Sequence, residues 1–186
     1  EDMLGVLFEE GDLVELRAIG HGGTPAAKPM FHRVGDDLAQ VVKWVEKRNK
    51  RRCIFIGAQP RKHIPKTSGG KAEDVDTFRC LFADLDHGCT PADAAARCEE
   101  ANLPTPSVVV NSGGGVHIYW RLTEPITDAA EHERLQKALR DAVDGDNVVD
   151  AARIMRLPGS RSMKPERYGA ACELVSYHED RFDLAE

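Results

Sequence analysis

Two aspartates two residues apart, Asp84 and Asp86, end the apolar run CLFA at positions 80–83. An apolar run of that length with a polar stop predicts a buried strand. Side chains two apart on a strand share a face, so these carboxylates stand side by side, their Cα atoms roughly 7 Å apart. Carboxylates that close repel unless a positive charge lies between them, and an oxygen-liganded divalent cation meets that need. A solvated turn also ends many strands in Asp-x-Asp, so the doublet needs supporting residues to give it chemistry.

The first support is His117, in VHIYW at 116–120, directly after NSGGG at 111–115. On a strand, His117 and Tyr119 fall on one face and Val116, Ile118 and Trp120 on the other. A histidine in such a strand is more often structural than functional. Here it follows three glycines, which permit close approach of a ligand to the backbone and leave amides free to point at it. A phosphate resting on that turn and on the imidazole is therefore expected. The turn is neither a P-loop, since no GK[ST] follows, nor a GxGxxG fingerprint.

The second support is AARIMRLPGSRSMK, from 151 to 164, which carries Arg153, Arg156, Arg161 and Lys164 and follows Asp150. Guanidinium groups neutralise phosphate charge bidentately, so these are candidates for a polyphosphate or a template strand. Asp150 follows the apolar pair Val148-Val149, while Asp144 and Asp146 lie just upstream. Residues 58–77 hold Pro60, Pro65, Gly69 and Gly70 among Arg61, Lys62 and Lys66. This composition predicts a mobile basic loop, with Arg61 pointing inward and the loop ordering on a charged ligand.

The elements that must position these groups follow from pattern. A short helix is expected over 3–10, a strand over 14–19, a helix over 36–49 capped by Asp36, and a strand over 53–57. After the Asp84 strand, Thr90, Pro91 and Asp93 open another helix. Strands at 107–110 and 116–120 form a hairpin, Thr127 caps a helix to about 142, and 171–177 closes as a strand. Strands and helices mix in a single α/β (α+β) core, with an N-terminal αβ lobe over 1–57, the basic loop over 58–77 and a catalytic lobe over 78–186.

Composition excludes several classes. The chain of 186 residues is 41% hydrophobic and 30% charged, ordinary for a globular domain. Its net charge of −6 disfavours a uniformly basic binder, but cations cluster at 43–52, 61–71 and 153–167, and local fields govern a groove. Five cysteines without a CxxC pair suit reduced thiols and a cytoplasmic setting. No run approaches a membrane span. The first residue is Glu, which suggests a piece of a longer protein.

FADLD at 82–86, SGGGVHIYW at 112–120 and D-x-x-R-I-M-R-L-P-G-S at 150–160, in that order, resemble the archaeo-eukaryotic primase superfamily. The branch most resembled is the primase–polymerases of phages, plasmids and related mobile elements. GAQPR at 57–61 is similar to that branch's segment upstream of the first carboxylates, and the likeness runs from Val14 to Tyr177. It implies an RRM-like catalytic sheet and an N-terminal lobe that helps hold the template. It also implies metal carboxylates at Asp84, Asp86 and Asp150 and phosphate contact by His117. Where the superfamily often has Ser-x-His, this chain has Gly115, so Ser112 takes the serine's part beside Gly114 and Gly115.

The implied activity is template-directed DNA synthesis, with priming, from dNTPs or NTPs. It uses two divalent cations, Mg²⁺ or Mn²⁺, and a DNA template and primer, alongside helicase or accessory domains in the longer protein. Two rivals fit less well. A replication nicking endonuclease needs a His-hydrophobic-His pair and a helical tyrosine, and neither is present. A non-enzymatic RRM-like module needs exposed strand aromatics for base stacking and has no use for Asp84 and Asp86.

Overall fold

The computed structural model describes residues 2–65 and 69–184. The order of elements is α1 (Asp2–Leu7), β1 (Leu13–Gly20), β2 (Met30–Arg33), α2 (Ala39–Arg48), β3 (Arg52–Gly57), β4 (Phe78–Leu85), α3 (Pro91–Glu100), β5 (Val108–Asn111), β6 (Val116–Ile126), α4 (Ala129–Ala142), β7 (Ile154–Arg156) and β8 (Glu173–Tyr177). They form two four-stranded sheets, β2-β1-β3-β7 and β4-β6-β5-β8, in which every pairing is antiparallel. This is the expected mixed α+β class. No helix among the described residues is long and apolar enough to cross a membrane.

The second sheet is buried on both faces, which explains its apolar strands. Phe82, Val110 and Tyr119 join Val14, Ile56 and Met155 of the first sheet and Leu7 of α1 in one core. On the opposite face, Ala83, Leu85, Val116 and Ile118 meet Ala94 and Cys98 of α3 and Leu139 and Val143 of α4. The period of two thus sends Phe82, Asp84 and Asp86 toward the first sheet and Ala83 and Leu85 toward the helices. The order β4-α3-β5-β6-α4 runs as a β-α-β-β-α unit. Its closing strand, β8, lies on the far edge beside β5 rather than beside β4.

That leaves β4 as an edge strand, and two buried glutamines complete it. Gln59 Oε1 accepts from the Arg79 amide at 2.8 Å and its Nε2 donates to the Cys80 carbonyl at 2.7 Å. Gln136 of α4 does the same for Phe82, accepting at 2.9 Å and donating at 2.8 Å. Both side chains are fully buried. A buried edge strand otherwise carries unpaired amides and carbonyls, each costly, so these two side chains fix the strand that bears Asp84.

Several local expectations change. Thr90 and Asp93 cap α3 reciprocally as read from sequence, with Pro91 in the first turn. Asp128 rather than Thr127 caps α4, accepting from the Ala130 amide at 2.8 Å. Asp36 does not cap α2; its amide donates to the Arg33 carbonyl at 3.1 Å in the turn that ends β2, and Leu38 takes the cap position. Strand β2 carries no alternating pattern and was not expected. Nor was β7, which pairs Ile154–Arg156 with β3 and so completes the N-terminal sheet from the far end of the chain. The division of lobes at residue 57 therefore does not hold for the first sheet.

Candidate active site

Asp84 and His117 are direct partners across β4 and β6, on the face of the second sheet that also carries Phe82 and Tyr119. His117 Nε2 lies 3.6 Å from Asp84 Oδ1, outside hydrogen-bonding distance. Asp84 Oδ1 and His117 Nδ1 are both buried without a partner among the described residues. Burial, then the nearby charges of Asp86 and Asp146, push the Asp84 carboxyl up to about 7, against the opposing pull of Arg153 and Lys164. Burial likewise pushes His117 down to about 4, with Asp86 opposing and Arg156 reinforcing the shift. The imidazole is thus neutral at pH 7, so its contact with Asp84 is not an ion pair.

Asp86 sits at the strand end, where Arg167 Nη1 donates to its Oδ1 at 3.4 Å. Arg167 ends a 3-10 turn over Pro165–Arg167 and was read in the sequence only as the edge of a basic cluster. The glycine turn differs from expectation here. A Cβ on Gly115 would lie 2.3 Å from the Leu85 carbonyl oxygen, and one on Gly114 would lie 1.8 Å from Arg167 Nη1. Gly113, at φ +78°, approaches the Ala171 carbonyl. These glycines make room for the carboxylate strand and the Arg167 loop. Ser112 donates its hydroxyl to the Gly115 carbonyl at 3.1 Å, which commits it to holding the turn.

The third carboxylate divides between two positions. Asp150, the one implied by resemblance, is more than half exposed and turns to Arg153 Nη2 at 2.9 Å. Asp146 donates its amide to the Asp84 carbonyl at 2.8 Å, and its charge is felt at Asp84. Among the described residues, no three His, Cys, Asp or Glu side chains converge as a ready-made metal cage. The donor set nevertheless fits a hard cation in part: an orphaned, buried carboxylate oxygen at Asp84, crowded by two further carboxylates. A polar hollow of about 430 Å³ beside it is lined by Asp86, His87, Asp93, Arg97 and Asp146.

The cations also divide. Arg156, on β7, is buried over the Phe55 ring, and its Nε and Nη2 have no partner among the described residues. Arg153 Nε is likewise buried and unpaired. Lys164 acts electrostatically on Asp84. Arg161 instead serves the scaffold: its Nη1 donates to the Gly169 carbonyl at 3.1 Å, and its amide donates to Asn49 at the end of α2 at 2.7 Å.

Arg61 is not on a loose flap. It is buried against Glu15, Nε to Oε2 3.0 Å, and its Nη2 donates to the Ala152 carbonyl at 3.1 Å. The stems of its loop are laced together, Lys62 amide to Asp74 carbonyl at 2.8 Å and Asp76 amide to Pro60 carbonyl at 3.0 Å. Lys66, expected in the same basic loop, lies outside the described residues. Glu15 is fully buried, although it lies on the alternate face of β1 from Val14 and Leu16; a charged residue at a period of two gives no sign of such burial in the sequence.

No protein-family model matches the sequence. A replication protein of Clostridium perfringens is 27% identical over 128 residues, which cover 62% of this chain and 31% of that protein. The chain thus spans about a third of that curated relative. Among solved structures, the AEP domain of the cyanophage S-2L primase–polymerase superimposes with a TM-score of 0.73 at 21% identity, covering 97% of this chain and 90% of that one. The primase RepB′ gives a TM-score of 0.68 at 12% identity, covering 96% of this chain and 55% of that one. The catalytic domain of RepB′ in complex with initiator DNA gives 0.65 at 11%, covering 91% and 79%. The fold is thus shared with the AEP domain of that primase–polymerase and with the catalytic domain of RepB′.

Proposed function

We propose that this chain, which has the fold of a primase catalytic domain, is the catalytic core of a replication primase–polymerase. It joins nucleoside triphosphates to a 3′-hydroxyl under the direction of a DNA template. One observation carries the reading. Asp84 presents a buried oxygen and Arg156 presents buried N–H groups that have no hydrogen-bond partner among the described residues. His117 lies 3.6 Å from Asp84 and feels the charges of both Asp86 and Arg156. A polyphosphate complexed with a divalent cation satisfies both needs at once.

Asp84 and Asp86 would hold the cation. Asp146 is the nearer third carboxylate; Asp150 would have to leave Arg153 to join. When bound, Mg²⁺ or Mn²⁺ acidifies the attacking hydroxyl and offsets charge on the triphosphate. The neutral His117 imidazole donates a hydrogen bond to a phosphate oxygen. Arg153, Arg156 and Lys164 neutralise the negative charge that grows on the leaving pyrophosphate. The core aromatics support this reading over a base-stacking module, since Phe82 and Tyr119 are fully buried and offer no platform. The relatives' replication setting supports DNA template and primer as partners, with helicase or accessory domains outside this chain.

The test is extension of a labelled primer on a DNA template with dNTPs and Mg²⁺ or Mn²⁺, repeated without primer. Divalent-dependent products are expected, and their absence in both formats, with folded protein, contradicts the proposal.

A further inference from the structure

We propose that Arg167 is the resident counter-ion of Asp86, and that a divalent cation binds Asp86 only by displacing it. The inference rests on the metal-holding reading of Asp84 and Asp86 and adds a competitor built into the chain. Arg167 Nη1 donates to Asp86 Oδ1 at 3.4 Å. That is the carboxylate a cation would share with Asp84. A guanidinium and a divalent cation on one carboxylate repel strongly at such separations.

The contact is held from three sides. The loop carrying Arg167 closes on itself, Ser162 amide to Ala170 carbonyl and Gly169 amide to Ser162 carbonyl, both at 2.8 Å. Arg161 clasps its far stem through the Gly169 carbonyl. The guanidinium lies over Gly114, where an added Cβ would stand 1.8 Å from Nη1 and 2.2 Å from Cζ. The absence of a side chain at 114 is what lets Arg167 reach Asp86. Because both partners are about one-third exposed, the guanidinium has open space into which to swing. Arg167 is thus a positioning residue: it offsets the charge of Asp86 before cation arrives and sets the threshold for its arrival.

Two substitutions separate its charge from its location. R167Q removes the competitor. G114A leaves the charge but puts a methyl group where the guanidinium rests, and Gly114 does not have a positive φ that would forbid alanine. Mn²⁺ binding to nucleotide-free protein, followed by calorimetry or by loss of the free-ion EPR signal, should tighten roughly three- to tenfold in each, with solvent screening limiting the gain. R167K should return the affinity toward wild type. In wild type, Mg²⁺ should shift the Arg167 Nε–Hε NMR signal over the same concentrations that saturate binding.

Unchanged or weaker Mn²⁺ binding by R167Q, where D86N abolishes binding, overturns the proposal and leaves the metal assignment standing. No Mn²⁺ binding by wild type or R167Q overturns both. Should R167Q fail to fold, the G114A titration decides in the same terms.

Discussion

Asp84 and His117 face each other across two paired strands, Oδ1 to Nε2 3.6 Å, where burial pushes the carboxyl up to about 7 and the imidazole down to about 4. The pair is prepared for external partners rather than for each other. Its pH behaviour follows. Asp84 is raised from 3.8 to about 7, so the folded state holds its proton more tightly than the unfolded chain. Its contribution to stability is present below about pH 4 and is lost as pH rises through 7. In EDTA, D84N should therefore raise Tm increasingly between pH 4 and 8, by about 2–4 °C for each kcal/mol recovered. A constant difference across that range contradicts the raised pKa.

His117→Ala should lower kcat/KM for dNTPs by roughly ten- to a hundredfold, the worth of one hydrogen bond to a charged oxygen. Mn²⁺ affinity should change little. His117 stays neutral down to about pH 4, so the wild-type rate profile should show no histidine step near 6.5. Unchanged nucleotide kinetics in His117→Ala would make it a structural residue.

Gln136→Ala should strip both partners from the Phe82 backbone and cost about 2–4 kcal/mol, as befits two buried polar groups left unsatisfied. Urea unfolding measures the loss. A change under about 0.5 kcal/mol would show that β4 finds other partners.

The site was legible where chemistry follows backbone period. Asp84 and Asp86 share a face, as do His117 and Tyr119, because strands alternate; that His117 comes opposite Asp84 is set by the non-local pairing of β4 with β6. Asp93 and Thr90 were legible because capping is local. What was hidden depends on distant partners. Strand β7 has three residues and becomes a strand only by pairing with β3, about a hundred positions earlier. Arg61 points inward as read, but the glycines and prolines around it report only local flexibility, whereas its partner is Glu15, on the first strand. The glycines of NSGGG signalled close approach correctly, and Asp86 and Arg167 are among the groups that approach them.

The Glu15–Arg61 pair has a consequence for stability. Arg61→Ala leaves a fully buried carboxylate with only Arg17 and the Gly70 amide, so it should cost about 2–4 kcal/mol. Pairing it with Glu15→Met should recover much of that loss. Additive losses in the double mutant, measured by chemical unfolding, would show that the two residues do not act as a pair.

The most direct measurement is single-turnover primer extension with dNTPs and Mn²⁺, comparing wild type with D84A and D86A after each is shown to be folded. The account predicts divalent-dependent extension by wild type and a loss of at least about a thousandfold in either variant, the scale expected when a metal-holding carboxylate is removed from a nucleotidyl-transfer site. Extension by D84A and D86A at the wild-type rate would contradict it.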